Sequence, residues 1–327
     1  MIQVNECLIS LDRKEKGADI DFISHAHSDH ISSAKSSKNI LASPATIKLL
    51  EEAKGINPVQ TKYSSKAVRL LDAGHMLGSK QLLIDDEANG KRIVYTGDYQ
   101  LQESRACEKI EIEEADIAII DSTYCDPEIQ FEDRNGVESA LQLWTDRKLN
   151  SGIVLFGTYS MGKAQELIMI LNEIGVVPIV SNRISSANKA YERSGVKLDY
   201  ASEVDSWSDY HQLARGNFVG VIENYALDAA KREFSSYYKR KVYTAVATGF
   251  AKMAKFNTDA QFALSDHADF WQAVEYIEAC GADVIYTKGQ NSEEFAANLT
   301  MNGHDAQSLR KSEIIACSES CELNINK

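Results

Sequence analysis

The sequence of 327 residues lacks several features that would mark a membrane-spanning, secreted or repeat protein. No uninterrupted apolar stretch approaches the roughly 20 residues needed to cross a bilayer. The first dozen residues lack the basic start and apolar core of a secretory signal peptide. Internal repeats and low-complexity linkers are also missing. These absences predict a soluble, cytoplasmic protein.

Cysteine is scarce and is not arranged as a zinc ribbon. The six cysteines are scattered without a CxxC pair, and the closest two, Cys317 and Cys321, have three residues between them. This usage is typical of a reduced intracellular protein with ordinary buried thiols, and it argues against a disulfide framework.

Basic residues are fewer than acidic ones: the chain has 35 lysines and arginines and 48 aspartates and glutamates, which gives a formal net charge of −13. That balance argues against a protein whose whole surface attracts nucleic acid, although it leaves room for a local basic groove. Apolar residues make up 44% of the chain, which is enough for a sizeable core. The length allows two domains, or one domain with a large insertion.

Short strand-like runs and helical patterns alternate along the chain. The runs 2–9, 67–71, 81–84 and 92–95 are predicted strands, and Asn89-Gly90 marks a hairpin turn between the last two. Ser43 is predicted to cap a helix that begins at Pro44 and ends near Lys54. From a buried strand that ends at Asp121 onward, strands and helices alternate. This alternation predicts a layered α/β fold.

Three histidines and one aspartate lie within six positions, directly after an apolar run: His25, His27, Asp29 and His30. Imidazole nitrogens and carboxylate oxygens are the ligands that zinc prefers where it keeps a position open for water. In an extended or turning segment, His25 and His27 project to one side and can reach one ion. Asp29 and His30 fall past the turn and can face a second ion. The alternative is a solvated histidine-rich loop.

Further candidate ligands follow later strand-like runs. His75 lies in the turn Gly-His-Met-Leu-Gly-Ser, and Asp98 ends the turn Tyr-Thr-Gly-Asp. In type and order these motifs resemble those of the metallo-β-lactamase superfamily. The resemblance implies a first metal held by His25, His27 and His75, and a second served by Asp29 and His30, with Asp98 bridging them. It also implies that Asp12 orients the ligands rather than binding metal.

The residues from position 121 onward indicate one branch of that superfamily. Asp121 opens the segment Asp-Ser-Thr-Tyr-Cys-Asp-Pro, which resembles the first motif of the β-CASP nucleases, and Ser265-Asp266-His267 resembles their second. The similarity is greatest to the Artemis-like, DNA cross-link-repair members. It implies an αββα metallo-β-lactamase sandwich, formed by 1–122 and 263–327, with an inserted α/β β-CASP domain at 123–262.

The segment Gly157 to Lys163 strengthens the same comparison and also has the GxxxxGK spacing of a P-loop. Position 164 is alanine where a P-loop has the Ser or Thr that holds magnesium, which argues against an NTPase. We expect a phosphate site built from helix N-terminal amides, Ser160, Gly162 and Lys163, with Thr123 as a further substrate contact. A plain glycine turn that caps a helix is the alternative.

One position departs from the family pattern. RNA-processing β-CASP enzymes carry a histidine where this chain has Lys288, and DNA-repair members have a small apolar residue there. An ammonium group cannot ligate zinc. Lys288 therefore predicts one firmly bound zinc ion, a weak or empty second site, and a direct contact with a substrate phosphate.

The resemblance implies a zinc-dependent nuclease in DNA repair that acts on DNA rather than RNA. We expect a 5′→3′ exonuclease, with structure-specific endonuclease action as an alternative. Asp29, Asp121 and His267 are the expected catalytic residues: His267 would protonate the leaving oxygen, and Asp121 would orient His267 or the nucleophile. An RNA-processing ribonuclease, a small-molecule hydrolase and a non-catalytic binding module remain alternatives.

The segment from Lys231 to Phe256 has seven basic residues and one acid, and aromatic residues lie among them. Cations that meet phosphates, beside aromatics that stack on bases, are typical of a nucleic-acid surface. A solvated helix face with the core strand 242–246 behind it fits the same pattern. The sequence leaves both interpretations open.

Overall fold

Three β-sheets organise the residues that the computed structural model describes, which are 1–4, 6–86, 90–202, 212–311 and 313–316. Asn89, Cys317 and Cys321 lie outside the described residues. The four cysteines within them carry free thiols. None of the described helices combines the length and apolar character needed to cross a membrane.

The first sheet joins the two ends of the chain. Its strands are β1 (Ile2–Val4), β2 (Cys7–Leu11), β3 (Ile20–Phe22), β4 (Ile40–Leu41) and β16 (Ile315–Ala316), in the order β16-β1-β2-β3-β4. The prediction of one strand over 2–9 was wrong. The chain reverses there, so that Val4 pairs with Cys7 in an antiparallel hairpin.

The second sheet also draws on both ends of the chain, in the order β15-β14-β8-β7-β6-β5. Its strands are β5 (Val68–Asp72), β6 (Lys80–Asp86), β7 (Lys91–Tyr95), β8 (Ile117–Asp121), β14 (Val284–Lys288) and β15 (Asp305–Ser308). β6 and β7 are antiparallel, as the predicted hairpin requires. β8 ends at Asp121, as expected.

The two sheets pack face to face, and helices cover them from outside. Ile2, Ile9 and Phe22 of the first sheet meet Ile84 and Ile119 of the second in one buried cluster. Helices α6 (Phe270–Cys280) and α7 (Ser292–Met301) pack on the other face of the second sheet. Helix α1 (Pro44–Lys54) packs its apolar side near β4. The arrangement is the expected αββα sandwich.

Helix α1 has the predicted bounds, and its local chemistry explains them. The Ser43 hydroxyl accepts a hydrogen bond from the Thr46 N–H at 3.0 Å, and Pro44 takes the first helical position, where no N–H is needed. Gly55 then ends the helix in the left-handed conformation at φ 62°.

The third sheet lies entirely within residues 153–262, in the order β10-β11-β9-β12-β13, and all its pairs are parallel. Its strands are β9 (Ile153–Thr158), β10 (Ile179–Val180), β11 (Val219–Glu223), β12 (Val242–Ala247) and β13 (Ala260–Phe262). The longer helices of this lobe are α2 (Arg134–Leu149), α3 (Lys163–Glu173), α4 (Asn182–Arg193) and α5 (Leu227–Tyr238). This sheet falls inside the expected insertion, whose boundaries at 123 and 262 stay a prediction.

Candidate metal centre and cleft

Four parallel strands of the second sheet deliver polar side chains to one edge. β5, β7, β8 and β14 run in the same direction, because β7, β8 and β14 pair in parallel and β6 is antiparallel to both β5 and β7. His75 and Asp98 follow the carboxyl ends of β5 and β7, while Asp121 and Lys288 end β8 and β14 in register with each other. The topology therefore collects residues that are far apart in sequence.

Four candidate ligand atoms converge at this edge: His25 Nε2, His27 Nδ1, His75 Nε2 and Asp98 Oδ2. His27 Nδ1 lies 3.0 Å from His25 Nε2 and 3.1 Å from His75 Nε2, and Asp98 Oδ2 lies 3.5 and 3.8 Å from those two nitrogens. A tetrahedral zinc site with bonds of about 2.0 Å has ligand–ligand distances of roughly 3.3 Å. The spacing matches such a site.

The outer nitrogen of each ring is held by an acceptor. His75 Nδ1 donates to the Asp266 carbonyl at 2.7 Å, and His27 Nε2 donates to the Met161 carbonyl at 3.3 Å. His25 Nδ1 lies 2.9 Å from the Ser24 hydroxyl, which donates its own proton to Asp12. Each ring therefore turns a nitrogen without hydrogen toward the shared point, as metal-binding histidines do.

Burial keeps these rings neutral. It lowers the pKa of His75 to about 3, and it lowers the pKa values of His25 and His27 as well. Asp98 stays ionised although burial opposes it, because His30 and His267 hold the pKa of this carboxyl well below its usual range. Three imidazole lone pairs and one carboxylate therefore point at the same position, which is a suitable set of ligands for a divalent cation. Nitrogen and oxygen ligands of this kind are typical of zinc.

Asp12 organises the ligands from behind. Its carboxylate accepts hydrogen bonds from the Ser24 N–H at 2.6 Å, the Tyr95 hydroxyl at 2.6 Å and His30 Nδ1 at 2.9 Å. Its backbone adopts a left-handed φ of 60° at the end of β2, which is uncommon for a residue with a side chain. These contacts join Asp12 to residues around the centre, and its role in orienting the metal ligands stays a prediction.

His30 lies among three carboxylates. Its Nε2 is 3.2 Å from Asp98 Oδ2 and 3.4 Å from Asp29 Oδ2, while its Nδ1 contacts Asp12. Burial opposes the charged imidazole, but Asp98 and Asp12 raise the pKa of His30 well above its usual value. The side chain of Asp29 is 79% exposed, so this group is more open than the first.

Lys288 lies next to this second group and is already engaged. Its ammonium donates to the Tyr95 hydroxyl at 2.5 Å, and that hydroxyl donates to Asp12. The half-buried Lys288 also lines the cleft above the centre. A positive charge thus lies beside Asp12, behind the group formed by His30 and Asp29.

Asp121 links two further predicted residues. Its Oδ2 lies 3.1 Å from His267 Nδ1, and its Oδ1 accepts a hydrogen bond from the Thr123 hydroxyl at 2.8 Å. Burial opposes protonation of His267, but Asp98 and the hydrogen bond to Asp121 raise the pKa of His267 to about 9. His267 is therefore a protonated donor near neutral pH, with Nε2 3.9 Å from Asp98 Oδ2.

A cleft of about 710 Å³ opens between the sandwich and the third-sheet lobe, above these residues. His27, Asp29, His30, Asp98 and His267 line its floor. The third-sheet lobe contributes Tyr159, Ser160 and Phe250 among others. The site thus has walls from both lobes and room for an extended substrate.

The expected phosphate contacts of Lys163 and Gly162 need correction. Lys163 is 1% exposed, and its ammonium lies 3.0 Å from Glu166 and 3.7 Å from Asp266. Gly162 is buried beside His27, where its φ of 78° and a nearby Met76 leave little room for a side chain. Neither residue lines the described cleft, because the loop turns inward after Met161. Ser160 alone of the three expected loop residues faces it.

The basic segment from Lys231 to Phe256 reaches the described cleft only through Thr248, Gly249 and Phe250, none of which is charged. Lys231 pairs with Asp259, Arg240 binds backbone carbonyls near Arg215, and Phe234 packs in a buried cluster. Among the described residues that line the cleft, none is one of the seven basic residues of this segment. The structure favours the interpretation of a helix face with a core strand behind it.

Several residues in this centre were not predicted from the sequence. Ser24 and Tyr95 connect Asp12 to His25 and Lys288, and Asp266 supports His75 through its carbonyl. Lys54 and Arg183 line the cleft from separate helices. Tyr95 and Ser24 adjoin the recognised motifs in sequence, whereas Lys54 and Arg183 have no motif beside them.

Comparisons with known proteins identify relatives that act on nucleic acids, by their names. The chain is 28% identical over 306 residues to a "Probable DNA ligase" of Opitutus terrae. The aligned region covers 88% of the chain and 28% of that protein. It is 31% identical over 183 residues to "5′ exonuclease Apollo" of Gallus gallus, and this aligned region covers 52% of the chain and 39% of that protein. No family model matches the chain.

A third relative is named for RNA. "Probable RNase MJ4" of Methanocaldococcus jannaschii is 28% identical over 167 residues, which covers 49% of the chain and 37% of that protein. Each of the three matches therefore spans less than two fifths of the relative's own length.

Proposed function

Since this chain belongs to the β-CASP branch of the metallo-β-lactamase superfamily, we propose that it is a zinc-dependent nuclease that hydrolyses phosphodiester bonds of DNA. The observation that carries the proposal is the convergence of His25, His27, His75 and Asp98 on the floor of a cleft between two lobes. A small-molecule hydrolase would not need walls from a second lobe, and a binding module would not need this ligand set.

These four residues would hold one zinc ion firmly, and Asp29 with His30 would provide a weaker second site that Lys288 opposes by its charge. Zinc bound there would lower the pKa of water toward about 7 and polarise a phosphoryl oxygen. Asp12 and its partners keep the imidazoles pointing inward, so that little rearrangement is needed when metal and substrate bind.

The catalytic roles follow from the hydrogen bonds. His267, protonated near neutral pH, would donate a proton to the leaving oxygen, and Asp121 would hold the ring in position. His30 lowers the pKa of Asp29 to about 2 by hydrogen bonding, so Asp29 stays an anion. As an exposed carboxylate it could orient a water molecule or assist the second metal.

Ser160, Thr123 and Lys288 are the proposed substrate contacts. All three line the cleft beside the centre. Ser160 and Lys288 offer donors to phosphate oxygens, and Thr123 would do so by turning its hydroxyl proton away from Asp121. A terminal 5′-phosphate held by Ser160 would set the first linkage over the zinc site. The enzyme would then be a 5′→3′ exonuclease, although structure-specific endonuclease action would use the same centre.

DNA is favoured over RNA as substrate. Two relatives carry names that refer to DNA ligation and DNA cross-link repair, and Lys288 departs from the histidine of RNA-processing members. The alternative is an RNA-processing ribonuclease, which the ribonuclease relatives support. We also propose that the protein acts in DNA repair, which the name of the mouse relative "DNA cross-link repair 1A protein" supports. A cytoplasmic location would suit the free thiols of its described cysteines.

The test uses purified protein with its zinc content measured. Matched DNA and RNA oligonucleotides, single- and double-stranded, carry either a 5′-phosphate or a 5′-hydroxyl, and product ladders are followed from a 3′ label. We expect about one zinc per chain, faster cleavage of DNA, and stepwise shortening from phosphorylated 5′ ends. Preparations carrying His27→Ala control for contaminating nucleases.

Faster cleavage of RNA would favour the ribonuclease. Internal products from the first minutes would indicate an endonuclease. No hydrolysis of any oligonucleotide by zinc-loaded protein would contradict the proposed function.

A further inference from the structure

Four lysines and arginines are among the described residues that line the cleft: Arg13, Lys54, Arg183 and Lys288. Arg13 is paired with Glu15, and Lys288 donates to Tyr95. Within the described chain, neither Lys54 nor Arg183 has a carboxylate within ion-pair distance. Two cations in the cleft are therefore available to an anion, and neither takes part in the proposed hydrolysis.

Lys54 is attached to the loop that carries the metal ligands. It is the last residue of α1, and its ammonium donates to the Ser28 hydroxyl at 2.8 Å. Ser28 stands between His27 and Asp29 in the chain. The ammonium is therefore held one side chain away from the metal centre.

Arg183 approaches from the other lobe, in the first turn of α4. A cation is unfavourable at the amino end of a helix, where the helix dipole is positive. Burial lowers the pKa of Lys54, and Arg183 is close enough to lower it further by charge repulsion, while Asp29 opposes both to a smaller extent. An anion bound between them would relieve both effects.

The packing of α1 against α4 keeps this pair in place. The guanidinium of Arg193, at the other end of α4, lies 2.5 Å from Glu52, and the Lys48 ammonium donates to the Arg193 carbonyl at 3.2 Å. These contacts between α1 and α4 hold the two helices together, and so keep Lys54 and Arg183 near each other.

Lys54 and Arg183 also form a wall shared with a second hollow. This hollow, of about 630 Å³, is lined by the same two cations, by the apolar Ile31, Ala53 and Ile56, and by the polar Ser32 and Lys35. The cleft and the hollow therefore meet at the cation pair. This arrangement suits a single nucleic-acid strand: one phosphate would lie between the two cations, and the next sugar and base would lie against the apolar side chains of the hollow.

We propose that Lys54 and Arg183 bind an internal phosphodiester of a single DNA strand, one or two linkages away from the scissile one. The pair guides the strand from the metal centre into the hollow lined by Ile31, Ala53 and Ile56. This inference rests on the proposed nuclease function and adds to it the path of the strand. The ligand chemistry is a phosphodiester monoanion, gripped by one ammonium and one guanidinium group.

The test measures binding and chemistry separately on zinc-loaded protein. Binding of a fluorescent single-stranded oligodeoxynucleotide with cleavage-resistant phosphorothioate linkages is titrated at several salt concentrations. Chemistry is followed with bis(p-nitrophenyl) phosphate, which has a scissile phosphodiester but no second phosphate for the pair to bind. The variant is Lys54→Ala with Arg183→Ala. The matched control, Lys197→Ala with Arg147→Ala, removes one lysine and one arginine at exposed positions of the third-sheet lobe that line neither the described cleft nor the described hollow.

We expect the variant to bind the oligonucleotide about tenfold to a hundredfold more weakly, as loss of charge-assisted hydrogen bonds predicts. The slope of log affinity against log salt should fall by about 0.7 for one lost phosphate contact. Turnover of the small phosphodiester should stay within twofold of the wild type, and the control should match the wild type throughout.

A scan with one uncharged methylphosphonate, moved along the strand, locates the contact. In the wild type one position near the scissile linkage should weaken binding, and in the variant the same position should have no effect. Equal affinity and salt slope in wild type and variant, or the absence of any coupled position, would overturn the subsite. Wild-type protein that binds no oligonucleotide would overturn it too. If the wild type binds DNA through this pair without cleaving it, the subsite stands and the proposed function fails.

Discussion

The loop of residues 25–30 and the loop of residues 157–163 have similar settings and opposite outcomes. Each follows a buried strand, and in each the sequence suggested side chains that reach a ligand. The first loop turns His25 and His27 toward a common point. The second turns inward after Met161 and buries Lys163 against Glu166.

The two predictions differ in how many separate sequence motifs supported them. The histidine loop was interpreted together with His75 and Asp98, and all of these groups must meet at one point to hold a cation. The glycine loop was interpreted alone, and a lysine at helical spacing from Glu166 can pair with it at i,i+3 as readily as it can reach a phosphate. Agreement between distant motifs is the stronger predictor.

Replacement of a convergent ligand should have the largest effect. His27→Ala removes the nitrogen that lies within 3.1 Å of both other histidines. We expect zinc content to fall well below one per chain and hydrolysis to drop by about a thousandfold or more, since the metal supplies several kcal/mol of transition-state stabilisation. Metal analysis and initial rates measure both.

The control for this change is His304→Ala, which alters a histidine outside the centre. An unchanged rate of hydrolysis in His27→Ala would contradict the metal centre. The functional interpretation of the 25–30 loop would then be wrong, as it is for Lys163 in the 157–163 loop.

Replacement of Lys163 tests the second loop. Lys163→Met removes the buried cation nearest to Asp266 and one of the two buried cations beside Glu166, so that Glu166 keeps only Arg134. We expect the free energy of unfolding to fall by about 3 kcal/mol. The control Lys109→Met makes the same change at an exposed pair with Glu103 and should alter stability by less than about 0.5 kcal/mol.

Denaturant unfolding gives the two stabilities, and cleavage of phosphorylated against hydroxyl ends gives the functional readout. A Lys163→Met protein of unchanged stability that no longer distinguishes these ends would restore Lys163 as a phosphate ligand.

Acid should weaken the same buried network to a smaller extent. Burial favours neutral Glu166, but Arg134 and Lys163 lower the pKa of Glu166 from 4.5 to about 2. A depressed folded-state pKa gives stability that is present above the unfolded value of 4.5 and is lost as the pH falls toward 2. The contribution is at most about 3 kcal/mol.

The stability difference between wild type and Glu166→Gln should therefore narrow as the pH falls from about 4.5 toward about 2. Chemical unfolding at each pH measures it, and metal loss in acid affects both proteins equally. Glu103→Gln, an exposed replacement, should follow the wild type at every pH. A difference that is constant with pH would mean that Glu166 is not held ionised by its partners.

Much of the fold could be predicted because local chemistry specifies it. Ser43 and Pro44 start α1, and the alternation of apolar strands with helical patterns indicates the layers. The strand over 2–9 was predicted without its reversal, because both halves are apolar and a periodicity of two does not reveal a turn. The pairing of the chain ends in one sheet has no local signal at all.

The amino-acid sequence by itself determined which groups can hold a metal and in what order they occur, because imidazole and carboxylate chemistry does not depend on the fold. Only the tertiary structure decided which cations face the cleft. Lys163 is turned inward and the 231–256 segment is largely used elsewhere, whereas Lys54 and Arg183 are brought together from two lobes. The physical reason is that a charge acts over a few ångströms of space, and spacing along the chain does not specify that distance.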